Sequence, residues 1–343
     1  MKNKISWFAV LCFHLLCING FAQINVTPVP LQNKVIVTVN NKPFTEFIYP
    51  DSMEKPVLYP IYAADGEIIS RGFPPVSRDN EPTDHPHHIG LWLNYENVNG
   101  LDFWNNSSAI PADKKASYGW IKITNVTDTK SGNTGSLTYH ANWQDISKNI
   151  LLVEKTSFHF IAKNNIRIID RITTLTAQQN VTMPDVKDGL LGLRVAHELE
   201  LPSKEERTFT DNKGNLTKVK ADDDRSVSVN YITSSGNKGD AAWGTRAEWC
   251  MLYGKKGNDS ISIVIIDHPK NIGYPTYWHA RGYGLFAANP LGQKIFSNGK
   301  EVLNFSLKKG EAVTFKFRVV ISSGKEMLPV KAIEIFAKEF ATQ

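Results

Sequence analysis

The sequence predicts an all-β chain built as a large antiparallel sandwich, and three observations carry that expectation. Segments rich in β-branched and aromatic residues recur along most of its length, several alternate strictly between apolar and polar positions, and Gly, Asn, Asp and Lys punctuate them. No regularly interleaved helices intervene, which argues against a parallel α/β sheet.

Residues 1–22 precede this pattern. They carry Lys2 and Lys4, an apolar core from Ile5 to Ile18, and Gly20-Phe21-Ala22 ahead of Gln23, the layout of a cleaved secretory signal peptide. The expected mature chain, 23–343, is then a single exported domain, secreted or periplasmic. It has no membrane anchor, because no later stretch reaches about 20 apolar residues. Cys12 and Cys17 leave with the leader, so Cys250 stands alone, no internal disulfide forms, and stability rests on the core. Cys250, between Trp249 and Met251, reads as a buried apolar residue. Lys2 and Lys4 leave too, taking the 39 basic residues to 37 against 34 acidic ones. So even a balance, with the basic residues scattered, argues against nucleic acid as a partner. The oligomeric state is left open.

Strands are expected at Lys34–Val39, Phe44–Tyr49, Trp120–Ile123 and Leu137–Trp143, then at Ile150–Ala162, Ile166–Thr176, Ser226–Ile232, Ile261–Ile266 and Val313–Ile321. Ser131-Gly132-Asn133 and Lys163-Asn164-Asn165 supply turns. One helix is expected, Met327 to Phe340, with Met327, Val330, Ile333, Phe336, Ala337 and Phe340 as an apolar stripe that packs on a sheet.

Chemistry concentrates at Asp84-His85-Pro86-His87-His88-Ile89-Gly90-Leu91-Trp92, which spends three of the nine histidines within four residues. Imidazole titrates near neutrality, so such a cluster suits proton transfer or metal ligation better than packing. If this loop runs extended into a strand, His85 and His87 face one side and His88 the other. A second rich block runs from Tyr277 to Pro290, where His279, Arg281 and Tyr283 share one face of an extended run. Trp92 or Trp278 would offer an apolar platform to a sugar ring, and Arg78, Arg194, Arg281, Tyr283 and Asn289 polar contacts to it. Three readings stay open. In the first, His85, His87 or His88 pairs with His279 as acid and base on a carbohydrate, with Arg194 or Arg281 holding an oxygen that gains charge. In the second, His85 and His87 bind a divalent metal with His279 or Asp84. In the third, the rim binds glycan without chemistry. The first is preferred and needs no cofactor.

Several motifs together resemble a secreted bacterial family labelled methane oxygenase, PmoA-like. They are the histidine block with its Gly90-Leu91-Trp92 ending, Gly100-Leu101-Asp102-Phe103-Trp104, the stretch from Trp243-Gly244 to Trp249-Cys250, and the block from Tyr277 to Pro290. The resemblance implies a shared fold and site but no established reaction, since particulate methane monooxygenase is a membrane-embedded copper enzyme. A fainter resemblance runs to aldose 1-epimerases of the galactose mutarotase type. Arg78, the His85–Gly90 loop and Asn289-Pro290 follow in that family's order, implying its β-sandwich. Asn289 stands where that pattern has its glutamate base and accepts no proton at neutral pH, so the likeness implies the fold rather than mutarotation.

Overall fold

A computed structural model describes residues 22–343 apart from 212 and 222–228. The expected signal peptide therefore lies outside the described residues save for Ala22, as does the start of the expected 226–232 strand. The described part of that strand is Asn230–Thr233.

Among the described residues, two eight-stranded antiparallel sheets form the body of the fold, and two short two-stranded ribbons, Val181–Met183 with Phe305–Leu307 and Arg207–Thr210 with Leu216–Val219, stand beside them. The first runs, edge to edge, Ile24–Val29, Lys34–Val39, Lys42–Ile48, Val57–Ile61, Leu91–Tyr95, Gly189–Arg194, Leu285–Asn289 and Tyr277–Ala280. The second runs Asn230–Thr233, Trp249–Lys256, Asp259–Asp267, Ala312–Gly324, Ile166–Ala177, Ile150–Lys163, Thr134–Gln144 and Trp120–Lys130. Alternation does what it should: Val35, Val37 and Val39 of the first sheet, and Leu137, Tyr139, Ala141 and Trp143 of the second, point into one shared apolar core. Asn164 takes φ +51°, a left-handed turn conformation that Asn tolerates, and so closes the hairpin between two long strands. Cys250 is buried in this core.

The C-terminal helix spans Val330–Ala341 and covers the outer face of the second sheet, where Ile333 and Phe340 pack on Ile168, Met251, Val264 and Val320. It begins three residues later than expected. Pro329 is its extended N-cap, and a proline disfavours helix in the residue before it, which leaves Met327 outside and exposed. Among the described residues, no helix is long and apolar enough to cross a membrane.

Four strands of the first sheet, 91–95, 189–194, 277–280 and 285–289, are buried on both faces. That is why they show no alternation in sequence. They carry the candidate site.

Candidate functional site

Register across these four strands sets the candidate residues on the outer face of the first sheet. Trp92 pairs with Gly192, Gly192 with Ala287, and Ala287 with His279, so all four lie in one row. Residues two along share that face, which adds Asn94, Arg194 and Asn289. Their neighbours Leu91, Leu93, Leu191, Leu193, Phe286, Ala288 and Trp278 point the other way, into the core. Gly192 is required here: a Cβ would stand 2.5–2.6 Å from the Trp92 indole, which lies across it.

The histidine segment is a turn, and this corrects the expected extended run. His88 N–H donates to the His85 carbonyl at 3.0 Å, and His85 takes φ +45°. The three imidazoles therefore gather instead of splitting between two faces. His85 and His88 are parallel at 5.0 Å, and His87 stands edge-on to both, at 5.6 Å from His85 and 4.2 Å from His88. The column continues both ways: Trp92 stacks beyond His88 at 5.2 Å, and Tyr283 beyond His85 at 5.2 Å. The histidine cluster and the 277–290 block, far apart in sequence, thus touch through His85 and Tyr283.

A buried guanidinium holds the turn. Arg71 donates to the carbonyls of Asp84 (2.8 Å), His85 (2.9 Å) and His88 (3.1 Å), and to Asp84 Oδ1 at 2.7 Å. Arg194 Nη2 donates to the same oxygen at 3.0 Å and to Glu200 Oε1 at 3.3 Å. Glu200 also meets His197 Nδ1 and Arg207. The second Asp84 oxygen, Oδ2, lies 2.7 Å from His85 Nδ1. One carboxylate is therefore anchored by two arginines and aligns one imidazole.

Burial works against the Asp84 carboxylate, but the His85 hydrogen bond and the charges of Arg194 and Arg71 outweigh it and hold its pKa well below the usual range. Desolvation pushes His87 and His88 well below the ordinary histidine value, with nearby cations adding to it. His279 falls to about 3 for the same reasons, burial first and then Lys187 and Arg281. These three rings are neutral at pH 7. Burial raises the Asp188 carboxyl, which lies 3.4 Å from His279 Nδ1, and raises the Tyr283 phenol. Buried Lys55 is lowered to about 8, again by desolvation; its ammonium lies 5.6 Å from the Trp92 ring centroid and 3.5 Å from the Trp104 carbonyl.

Not every expected site residue belongs to this cluster. Trp278 is fully buried on the core face, where its indole donates to the Ala247 carbonyl, so it is no platform. Trp92 is on the site face but equally buried beneath His88 and beside Trp104, and offers no open ring. Asn289 is committed to the backbone: its amide donates to the Val186 and Lys187 carbonyls and its oxygen accepts from Leu291 N–H. Arg78 pairs with Glu81 and donates to the Ser70 carbonyl, serving its own loop. Arg281 lies over Tyr283 at 5.5 Å and over half-exposed Trp243 at 5.6 Å, forming the rim. The ligand set His85, His87 and His279 does not assemble: His85 pairs with Asp84, His87 stands edge-on to the other two imidazoles of the turn, and His279 faces Asp188. Among the described residues, no three His, Cys, Asp or Glu side chains are grouped to hold a metal ion. Sequence reasoning gave no role to Lys55, Asp188 or Glu200, because the neighbours that give each its meaning are mostly distant in the chain.

No curated protein matches the sequence. Among solved structures, the chain is similar to the GH36 alpha-galactosidase AgaB from Geobacillus stearothermophilus, at 10% identity and TM-score 0.40 over 88% of this chain and 41% of that one. It therefore spans about two fifths of that protein. It is also similar to a galactose mutarotase related enzyme from Lactobacillus acidophilus, at 10% identity and TM-score 0.29 over 90% of this chain and all of that one. The matching family's description names neither a methane oxygenase nor any reaction. Residues 34–334 match the profile of a family of unknown function, DUF6807, and the chain belongs to that family.

Proposed function

We propose that this is an exported carbohydrate-active enzyme that acts on a sugar or sugar derivative by histidine acid–base chemistry, with His85 as the principal proton carrier. The observation that carries the reading is the Asp84–His85 pair at 2.7 Å. Asp84, ionised and fixed by Arg71 and Arg194, takes the Nδ1–H and leaves Nε2 to accept a proton from a ligand. It then stabilises the imidazolium that forms. His85 is the exposed member of the cluster, its side chain 41% accessible, so a substrate reaches it. His87, His88 and His279, neutral and desolvated, donate or accept hydrogen bonds without adding charge, and Arg281 with Tyr283 forms the donor-rich rim.

The test uses the mature protein purified without a polyhistidine tag, assayed for metal content and for turnover of a panel of neutral and oxidised sugars. His85→Ala is expected to lower turnover by about 10²–10⁴-fold with binding largely kept and no metal lost. Turnover unchanged in His85→Ala would overturn the proposal. So would stoichiometric metal that disappears in His87→Ala, and a panel bound without any turnover would leave a glycan-binding protein in its place.

A further inference from the structure

Among the described residues, most buried polar atoms without a protein partner lie on or beside this one face. They include Arg194 Nε and Nη1, Trp92 Nε1, both ring nitrogens of His88, and Asn94 Oδ1. Folded proteins pair nearly all such atoms, so a cluster of exceptions points to something the protein binds. The second sheet offers the control: Arg318 and Arg171, equally buried, leave no buried nitrogen unpaired.

The unpaired donors of Trp92 and Arg194 sit on adjacent strands. Trp92 lies opposite Gly192, and Arg194 N–H donates to the Gly90 carbonyl, so Trp92 and Arg194 are diagonal neighbours on adjacent strands of the same face. That diagonal is about 7–8 Å, within reach of long side chains. The indole leans across Gly192, with Cε2, the atom bonded to Nε1, 2.6 Å from where a glycine Cβ would stand. Its N–H is thus carried over the strand that also bears Arg194. Arg194 hydrogen-bonds through Nη2 alone, to Asp84 and Glu200, while its guanidinium lies over the Tyr283 ring at 5.0 Å. A hydroxyl needs donors and acceptors alike, whereas a carboxylate only accepts and gains most from a charged donor. Asn94 Oδ1 and the unprotonated nitrogen of His88 remain to receive hydroxyls.

We propose that the ligand of this site carries a carboxylate, held by the unpaired N–H groups of Arg194 and Trp92, with Lys55, 5.6 Å from the Trp92 ring centroid, supplying further positive charge. Resting on the carbohydrate reading above, this makes the substrate class a sugar acid.

Calorimetric titration of D-galactose against D-galacturonate, and of D-glucose against D-glucuronate and D-gluconate, tests it. At least one acid is expected to bind about tenfold or more tightly than its neutral counterpart. Trp92→Phe, which keeps a ring and deletes one N–H, should weaken the acid by about tenfold or more and the neutral sugar by clearly less, as expected for a hydrogen bond to a charged group. Equal affinity for acid and neutral sugar, or equal weakening of both by Trp92→Phe, overturns the proposal. If no sugar binds but acetate or citrate does, with the same sensitivity to Trp92→Phe, the carboxylate site stands and the carbohydrate reading falls. No binding by sugars or simple carboxylates overturns both.

Discussion

The outer faces of the two sheets both bury arginine–carboxylate pairs, and they use them in opposite ways. Under the C-terminal helix, Arg318 grips Asp170 through Nε at 2.6 Å and Nη2 at 2.7 Å, donates Nη1 to the Phe336 carbonyl, and lies over the Phe340 ring. Every nitrogen of that guanidinium has a partner, and the surroundings are apolar. On the other sheet, Arg194 also lies over a ring, that of Tyr283, but Arg194 and Arg71 share one oxygen of Asp84, leave nitrogens without a hydrogen bond, and face three histidines. A closed pair is structure, whereas an open one keeps bonding capacity for something else. Burial alone does not separate the two; the count of satisfied atoms does.

The contrast breaks most sharply at Asp170. Asp170→Ala strands the Arg318 charge beneath the helix and is expected to cost about 3–5 kcal/mol, read from urea unfolding, with ligand binding on the histidine face unchanged. A loss under about 1 kcal/mol would mean that the closed pair is not what holds the helix down.

Acid gives the next largest effect. His279 stays neutral in the folded protein down to about 3, whereas unfolded histidine binds its proton below about 6.5. The unfolded state therefore takes up more protons as pH falls between these values. The contribution is complete above the unfolded value and is lost progressively towards the folded one. By pH 4.5 the loss amounts to about 2–3 kcal/mol for this one group. Unfolding measured at about pH 7.5 and 4.5 should show a smaller acid loss in His279→Gln than in the wild type. Equal losses would show that His279 is not held neutral.

The smallest effect sharpens the comparison from the side of the helix. Met327, exposed ahead of Pro329, belongs to the expected stripe but not to the packed one. Met327→Ser should change stability by no more than about 0.5 kcal/mol, and a larger loss on unfolding would mean that the stripe extends beyond the observed helix.

Much of this was legible in the amino-acid order. Alternation in Lys34–Val39 and Thr134–Gln144, and the turn residues between long strands, determined an antiparallel β protein, because side chains on a pleated strand must alternate between core and solvent. The histidine density marked the loop that gathers three imidazoles, and the 279–283 block marked the segment that touches it through Tyr283. What the sequence could not carry was the direction of each side chain. Trp92 and Trp278 read alike, yet strand register turns one towards the histidines and the other into the core. The turn at Pro86-His87 gathered rings that an extended chain would have separated. Lys55, Asp188 and Glu200 acquired meaning only through neighbours distant in the chain. Tertiary structure decided these points because pairing and desolvation are properties of a surrounding, and a residue's surroundings do not exist until the sheets have closed.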